Sequence, residues 1–258
     1  MFVTTAGRTN EEMSAHARKI AEELNADFVP RKKRSVGAIQ ELIPEDCLVV
    51  GKERLELYPL GEAEPFFFHP NSAMFRIKRL KKGENDPLTD AAKLKTGMSF
   101  LDCSLGLGSD SIVASFVVGM SGSVTGVEAR TELSYIVKNG LKGWDSGFDD
   151  INRAMVKIKV VNGHSLDYLK SIDDKSFDCV YFDPMFDESI LESDGIRGLS
   201  HFAVYDGLSK ETIDHALRVA KQRVILKDHF RSTRFEEFSF KVYRRKSAKF
   251  HFGVIEKE

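Results

Sequence analysis

Along this chain the spacing of apolar positions switches repeatedly between about two residues and three to four, which predicts strands alternating with helices. Short apolar runs predict strands at residues 1–5, 27–30, 47–50, 54–58, 65–69, 98–102, 124–127, 158–161, Phe177–Phe182 and 223–227. Between them, stripes such as Met13, Ala17, Ile20, Ala21 and Leu24, or Ile112, Val113, Phe116 and Val117, fall at helical spacing. Further helices are expected at 36–43, 133–141, 151–156, 166–172 and 210–220. Asp86 followed by Pro87 is a cap and first-turn pair for a short helix in front of residue 98. Residues 238–243 and 249–255 form a terminal hairpin. The pattern gives an α/β chain: a mostly parallel seven-stranded sheet closed by an antiparallel hairpin, preceded by a small α/β subdomain. The polar stretch 82–85 is the expected linker, so the domains are 1–85 and 86–258.

One stretch carries the first chemistry. Asp102 ends a strand, Gly106 and Gly108 open a helix through Ser109 and Asp110, and Glu128 closes the next strand, 20 residues after Gly108. Glycines permit a tight turn and close approach of backbone to a ligand, and a carboxylate after the second strand accepts ribose hydroxyls. A P-loop would place Lys and then Ser or Thr after its last glycine, which this chain does not do. A dinucleotide fingerprint would have Gly or Ala at position 111, where Ser111 stands. An acidic residue before the glycines suits a cationic cofactor better than a pyrophosphate. These residues point to S-adenosylmethionine (SAM).

A second motif, Asp183-Pro184-Met185-Phe186, follows the buried strand Phe177–Phe182. That position puts Asp183 at the carboxyl edge of the sheet, beside the glycine turn. This order of acid, Pro, another residue and an aromatic resembles the amino-methyltransferases that act on bases, whose acceptor, an exocyclic amine, is a poor nucleophile because its lone pair is delocalised into the ring. A carboxylate and a proline-fixed carbonyl that accept its N–H groups localise that pair, and Phe186 holds the base plane by stacking. The catalytic candidates are therefore Asp183, Pro184 and Phe186.

Composition narrows the partners. The 258 residues are 42% hydrophobic with a net charge of −1, so any nucleic-acid face must come from local clustering of cations. Two clusters stand out. Arg31-Lys32-Lys33-Arg34 is either a solvated surface or a phosphate-contact patch. Arg76, Lys78, Arg79, Lys81 and Lys82, interleaved with Met74, Phe75, Ile77 and Leu80, read either as a half-buried strand with a basic edge or as a phosphate track with Phe75 as a stacking face. Lys227 and His229 read either as contacts for RNA phosphate or as surface residues, and residues 194–201 either as a lid or substrate clamp or as a spacer. Cys47, Cys103 and Cys179 show no metal-ligand spacing and read as reduced, buried thiols; no metal is expected. No apolar run is long enough to span a bilayer and no leader is apparent, so a cytoplasmic protein is expected.

Residues 74–258 resemble the bacterial small-subunit ribosomal RNA guanine-N2 methyltransferases, a family of class I (Rossmann-like) SAM-dependent enzymes. The shared stretches are Asp-Cys-Ser-Leu-Gly-Leu-Gly-Ser-Asp (102–110), Val-Glu-Ala (127–129), His-Ser-Leu (164–166), Tyr-Phe-Asp-Pro-Met-Phe (181–186) and Arg-Val-Ile-Leu-Lys (223–227). The resemblance implies that Ser109 and Asp110 contact the cofactor, Glu128 and Ala129 hold its ribose, and His164 and Ser165 flank its adenine. It also implies that Asp183 bridges cofactor and target amine. Ser109 and Ala129 stand where the family usually has Arg, and Asp187 where Pro is usual, which leaves the target base open. The implied activity is methyl transfer from SAM to guanine N2 in small-subunit ribosomal RNA. The alternatives are another RNA, DNA or a metabolite as acceptor, or a non-catalytic RNA-binding or ribosome-assembly factor on the same fold.

Overall fold

The computed structural model describes residues 1–184, 208–245 and 248–257. They form two compact units that divide between His69 and Pro70. Phe186 and the expected lid at 194–201 lie outside the described residues. Among those described, no helix is long and apolar enough to cross a membrane.

The first unit runs β1 (Phe2–Thr5), α1 (Glu11–Glu23), β2 (Asp27–Phe28), α2 (Val36–Gln40), β3 (Cys47–Val50) and β4 (Leu55–Tyr58). Its sheet has the order β2-β1-β3-β4, with β4 antiparallel to β3 and the other pairs parallel. β1 and β3 are buried along their whole length, which is why both read as unbroken apolar runs. Asn10 caps α1 by accepting a hydrogen bond from the Met13 amide at 2.8 Å. The run 65–69, expected as a strand, contributes only a bridge between Phe66 and Leu57.

The second unit begins with α3 (Asn71–Lys81) and α4 (Pro87–Ala92). Then come β5 (Ser99–Asp102), α5 (Ser109–Val118), β6 (Ser123–Glu128), α6 (Thr131–Gly143), α7 (Asp149–Val156), β7 (Lys159–Asn162), α8 (Ser165–Ser171) and β8 (Phe177–Phe182). After the undescribed stretch follow α9 (Lys210–Val219), β9 (Ala220–His229), α10 (Arg234–Glu237), β10 (Lys241–Tyr243) and β11 (Phe250–Glu256). The sheet order is β10-β11-β9-β8-β5-β6-β7, with β11 antiparallel to both neighbours. This is the doubly wound, Rossmann-like layout expected from the sequence. Strand order reverses between β5 and β8, so the crevice outside their carboxyl ends is the place where ligands bind in such sheets.

The stretch 74–82 is a helix, not a strand. Ala73 and Ile77 are buried with Arg76 and Leu80 half-buried beside them, a three-to-four-residue period, while Phe75, Lys78 and Arg79 face water. Lys78 and Lys81 lie over the Phe148 ring at 5.1 and 5.4 Å, and Lys81 pairs with Asp150. The domain boundary moves with this helix. Residues 82–85 are not an interdomain linker but a connector inside the second unit, spanned by Arg76–Asp86 and Arg79–Glu84 ion pairs, each at 2.7 Å.

Candidate active site

The glycine loop is built by a chain of short hydrogen bonds that begins at the end of β5. The Cys103 amide donates to Tyr181 O of β8 at 2.9 Å, tying the loop's entry to the neighbouring strand. Asp102 is 1% exposed, and both of its oxygens are engaged. Oδ1 accepts from the Ser104 amide at 3.0 Å, and Oδ2 from the Ser111 hydroxyl at 2.7 Å. Ser111, which breaks the dinucleotide fingerprint, is thus the residue that holds Asp102 from the first turn of α5. Burial pushes the Asp102 carboxyl up to about 7, with Ser111 pulling it down. Asp102 sits beneath the loop as its brace.

Leu105 fixes the loop from the other side. Its amide donates to Val127 O at 3.0 Å, and its side chain fills the notch that Gly126 leaves in β6. A Cβ at position 126 would come within 2.4 Å of Leu105 Cδ1. Gly106 and Gly108 then take positive φ values of 49° and 73°, and Gly108 precedes the first residue of α5. The Gly106 amide donates to Glu128 Oε2 at 3.1 Å, and the Arg130 amide to Oε1 at 3.0 Å. Both Glu128 oxygens are thus held by backbone donors, within the roughly four acceptor positions of a carboxylate. Burial raises the Glu128 carboxyl, and these amides pull it down. A fixed carboxylate acceptor beside a loop that carries no Cβ at positions 106 and 108 fits the ribose hydroxyls of SAM.

Beyond Glu128, Ala129 offers its carbonyl to Asn162 Nδ2 at 3.3 Å. β6 pairs with β7 so that Glu128 lies opposite Asn162. His164, an exposed residue, and Ser165 start α8 just past β7, at the same carboxyl edge. Ser109 is the first residue of α5 and half-buried.

Asp183 lies across the crevice. Its amide donates to Ser104 Oγ at 2.6 Å, and its Oδ2 accepts from Lys227 Nζ at 2.6 Å. Among the described residues, Oδ1 of Asp183 accepts no hydrogen bond. Lys227 reaches from β9 and also touches Asp110 Oδ2 at 3.3 Å. Asp110 accepts from the Tyr181 hydroxyl at 2.8 Å and from Arg76, which clasps Asp86 as well. Asp110 therefore joins α3, α5, β8 and β9 rather than presenting a free carboxylate to the loop.

The electrostatics follow from this packing. Burial pushes Asp183 up to about 6, against the pull of Lys227 and with a push from Asp110. Burial also penalises Asp110, but Lys227 and Arg76 outweigh it and hold that carboxyl well below the usual carboxylate range. Burial lowers Lys227, and the two carboxylates overcome this and keep it firmly protonated. The crevice thus holds one carboxylate whose pKa is lowered, Asp110, and one whose pKa is raised, Asp183.

The structure brings Gly106, Gly108, Glu128 and Asp183 to one crevice, with Asp102 buried beneath the loop and Pro184 half-buried next to Asp183 in the chain. Sequence reasoning read Arg76 as part of a basic edge or phosphate track and gave Tyr181 no role of its own, and Lys227, read as a contact for RNA phosphate or a surface residue, is engaged by two carboxylates instead. The signal for Lys227 was present: a lone cation at the carboxyl end of a buried strand needs a counter-ion.

Comparison with known proteins identifies the family and the fold. A model of the SAM-dependent methyltransferase family matches residues 39–251. A Bacillus subtilis (strain 168) protein described only as uncharacterized, YpiP, is 46% identical over 255 residues, 99% of each chain. Ribosomal RNA small subunit methyltransferase J of Legionella pneumophila (strain Lens) is 25% identical over 229 residues, 87% of this chain and 86% of that protein. The crystal structure of the SAM-dependent methyltransferase NGO1261 from Neisseria gonorrhoeae superposes with a TM-score of 0.65. It covers 99% of this chain and 96% of that one at 15% identity, a likeness of fold.

Proposed function

Because this chain belongs to the SAM-dependent methyltransferase family, we propose that its acceptor is the N2 amine of guanine in small-subunit ribosomal RNA. The observation that carries this reading is the Asp183 carboxylate, held through Oδ2 on Lys227 at 2.6 Å at the strand-order reversal of the sheet. SAM would supply an electrophilic methyl group at its sulfonium centre, the S–CH3 bond breaking as the N–C bond forms so that S-adenosylhomocysteine leaves. Glu128 and the loop at Gly106–Gly108 hold its ribose and backbone-facing edge. Asp183 Oδ1 accepts an N–H of the target amine, and the Pro184 carbonyl is the partner for the second. Both bonds localise the nitrogen lone pair and aim it, and positioning is the main gain. When the nitrogen gains a methyl group it must lose a proton. Asp183, raised to about 6, is placed to receive it at Oδ1.

The choice of guanine in ribosomal RNA is supported by the Asp183-Pro184-Met185-Phe186 motif and by relatives described as ribosomal RNA small subunit methyltransferases. An RNA partner and a cytoplasmic location belong to the same proposal. A base paired within a helix must be turned out before its amine reaches Asp183.

The test incubates the protein with methyl-labelled SAM and ribosomal RNA, naked and in small subunits, from cells that lack this gene. Label recovered as N2-methylguanosine is the expected result. Label absent from RNA, with cofactor binding intact, overturns the acceptor assignment.

A further inference from the structure

The first unit has a cavity of about 670 Å³ outside the carboxyl ends of β1 and β2, the edge at which parallel α/β sheets take ligands. Five cations line it, Arg8, Arg18, Arg31, Lys32 and Lys33, and no Asp or Glu does. Glu11 and Glu12 open α1 nearby but do not form its wall. Among the described residues, none of the five cations makes an ion pair. By contrast, Arg76, Lys81, Lys227 and Arg234 in the second unit are all paired with carboxylates.

Two features show that this cluster is built rather than scattered. Arg31 is half-buried and anchored: Nε donates to Arg34 O at 2.9 Å and Nη1 to Thr5 O at 3.1 Å, which leaves Nη2 for a ligand. Lys32 and Lys33 form the centre of a turn closed by the Arg34 amide on Arg31 O at 2.9 Å. Their φ values are 45° and 63°. Positive φ at both central residues is the type I′ signature, a turn that strongly favours Asn-Gly. Two adjacent lysines there hold an unfavourable backbone conformation and set like charges side by side. Strain of this kind persists where the surrounding structure over-determines it, and it clusters at binding sites.

We infer that this cavity binds the phosphate backbone of a single-stranded segment of the RNA substrate, as a second RNA contact outside the unit that carries Asp183. The inference rests on RNA being the acceptor. Arg8, Arg18, Lys32 and Lys33 are exposed around the opening, a spread that suits successive phosphates better than one enclosed group. Half-buried Phe28 forms an apolar wall under the Arg18 guanidinium, 5.0 Å from the ring centroid, and offers a face for an unpaired base.

The test uses the full chain and two double variants. K32N/K33G installs the residues the turn prefers and removes two charges; R8Q/R18Q removes two exposed charges elsewhere on the wall. Binding of a fluorescent single-stranded RNA is followed by anisotropy across salt concentrations, beside methyl transfer to ribosomal RNA. Each variant is expected to weaken RNA binding about tenfold at low salt, and to reduce the slope of log affinity against log salt by about 1.4. KM for RNA rises while kcat at saturating RNA and SAM affinity stay unchanged. K32N/K33G also melts at a higher temperature than the parent chain. Unchanged RNA affinity and salt slope in both variants overturn the inference, as does a free nucleoside triphosphate that binds the cavity tightly without competing with RNA. If the variants lose RNA binding but the parent transfers no methyl to guanine N2, the acceptor assignment falls and the RNA site stands. If the parent methylates guanine and both variants bind as it does, the site falls and the acceptor assignment stands.

Discussion

Replacing Lys227 by Met tests whether the ion pair at Asp183 governs the reaction. The substitution keeps the aliphatic stem, which lies beside Phe250 with Nζ 5.4 Å from the ring centroid, and removes the charge. Lys227 is 19% exposed and is the cation shared by Asp183 at 2.6 Å and Asp110 at 3.3 Å. Breaking a buried pair costs about 3–5 kcal/mol. The lower end applies here, because Asp110 keeps Arg76 and Asp183 can take up a proton. Loss of an opposite charge at that range raises a carboxyl by about 1–3 units. Asp183, already raised to about 6 by burial, then titrates near or above neutrality. A two-unit rise leaves roughly a tenth of the carboxylate ionised at pH 7, so kcat/KM falls about tenfold there and recovers towards pH 9. The stability prediction has a definite sign. A carboxyl whose folded pKa exceeds its unfolded value of 3.8 destabilises the fold increasingly as pH rises from 3.8 through the folded pKa. A higher folded pKa extends that loss, so the melting deficit of Lys227→Met grows from pH 5 to pH 8. Methyl-transfer rates across this pH range and calorimetric melting measure both effects. An activity midpoint that stays near 6, or a uniform loss with no alkaline recovery, refutes the role given to Lys227.

Asp183→Asn keeps the side chain's shape and removes its charge. It should lower kcat by about 10²–10⁴ with SAM affinity within a few-fold of the parent; equal loss of turnover and cofactor binding would make Asp183 chiefly a cofactor ligand. Glu128→Gln places an amide NH₂ against one of the two backbone donors at Gly106 and Arg130. It should weaken SAM binding by about 1.5–3 kcal/mol in a calorimetric titration while leaving kcat at saturation nearly unchanged. Gly126→Ala drives a methyl group to within 2.4 Å of Leu105 Cδ1. The expected cost is about 1–3 kcal/mol of stability and a weaker SAM complex, both partly restored by Leu105→Ala in the same chain.

The central strands were legible because strands buried on both faces are unbroken apolar runs. Phe177–Phe182 was bounded to the residue, and the acid-glycine-acid order marked the loop. Helix α3 was misread because Phe75, at 63% exposure, and Met74 blurred its period. The stretch 82–85 looked like a linker because its polar residues pair locally, Arg79 with Glu84 at 2.7 Å, which no spacing rule reveals. Arg76 was hidden for a different reason: its partner Asp110 is 34 residues away and becomes a neighbour only once α3 lies on α5. Asp102 and Asp110 looked equivalent as acids flanking the glycines. Burial turns one into the loop's brace, and two cations turn the other into a junction of four elements.

The position of β11 sets an order on how the enzyme comes into being. Phe250–Glu256 threads between β9 and β10, so an interior strand is synthesised after both of the strands it separates. Phe252 pairs with Lys227, the residue that holds Asp183. A nascent chain that has delivered β9 but not β11 carries Val224, Ile225 and Leu226 on an open strand edge, a surface that invites chaperones or mispairing. The strand that carries Lys227, the counter-ion of Asp183, gains its second neighbour only with residues 250–256.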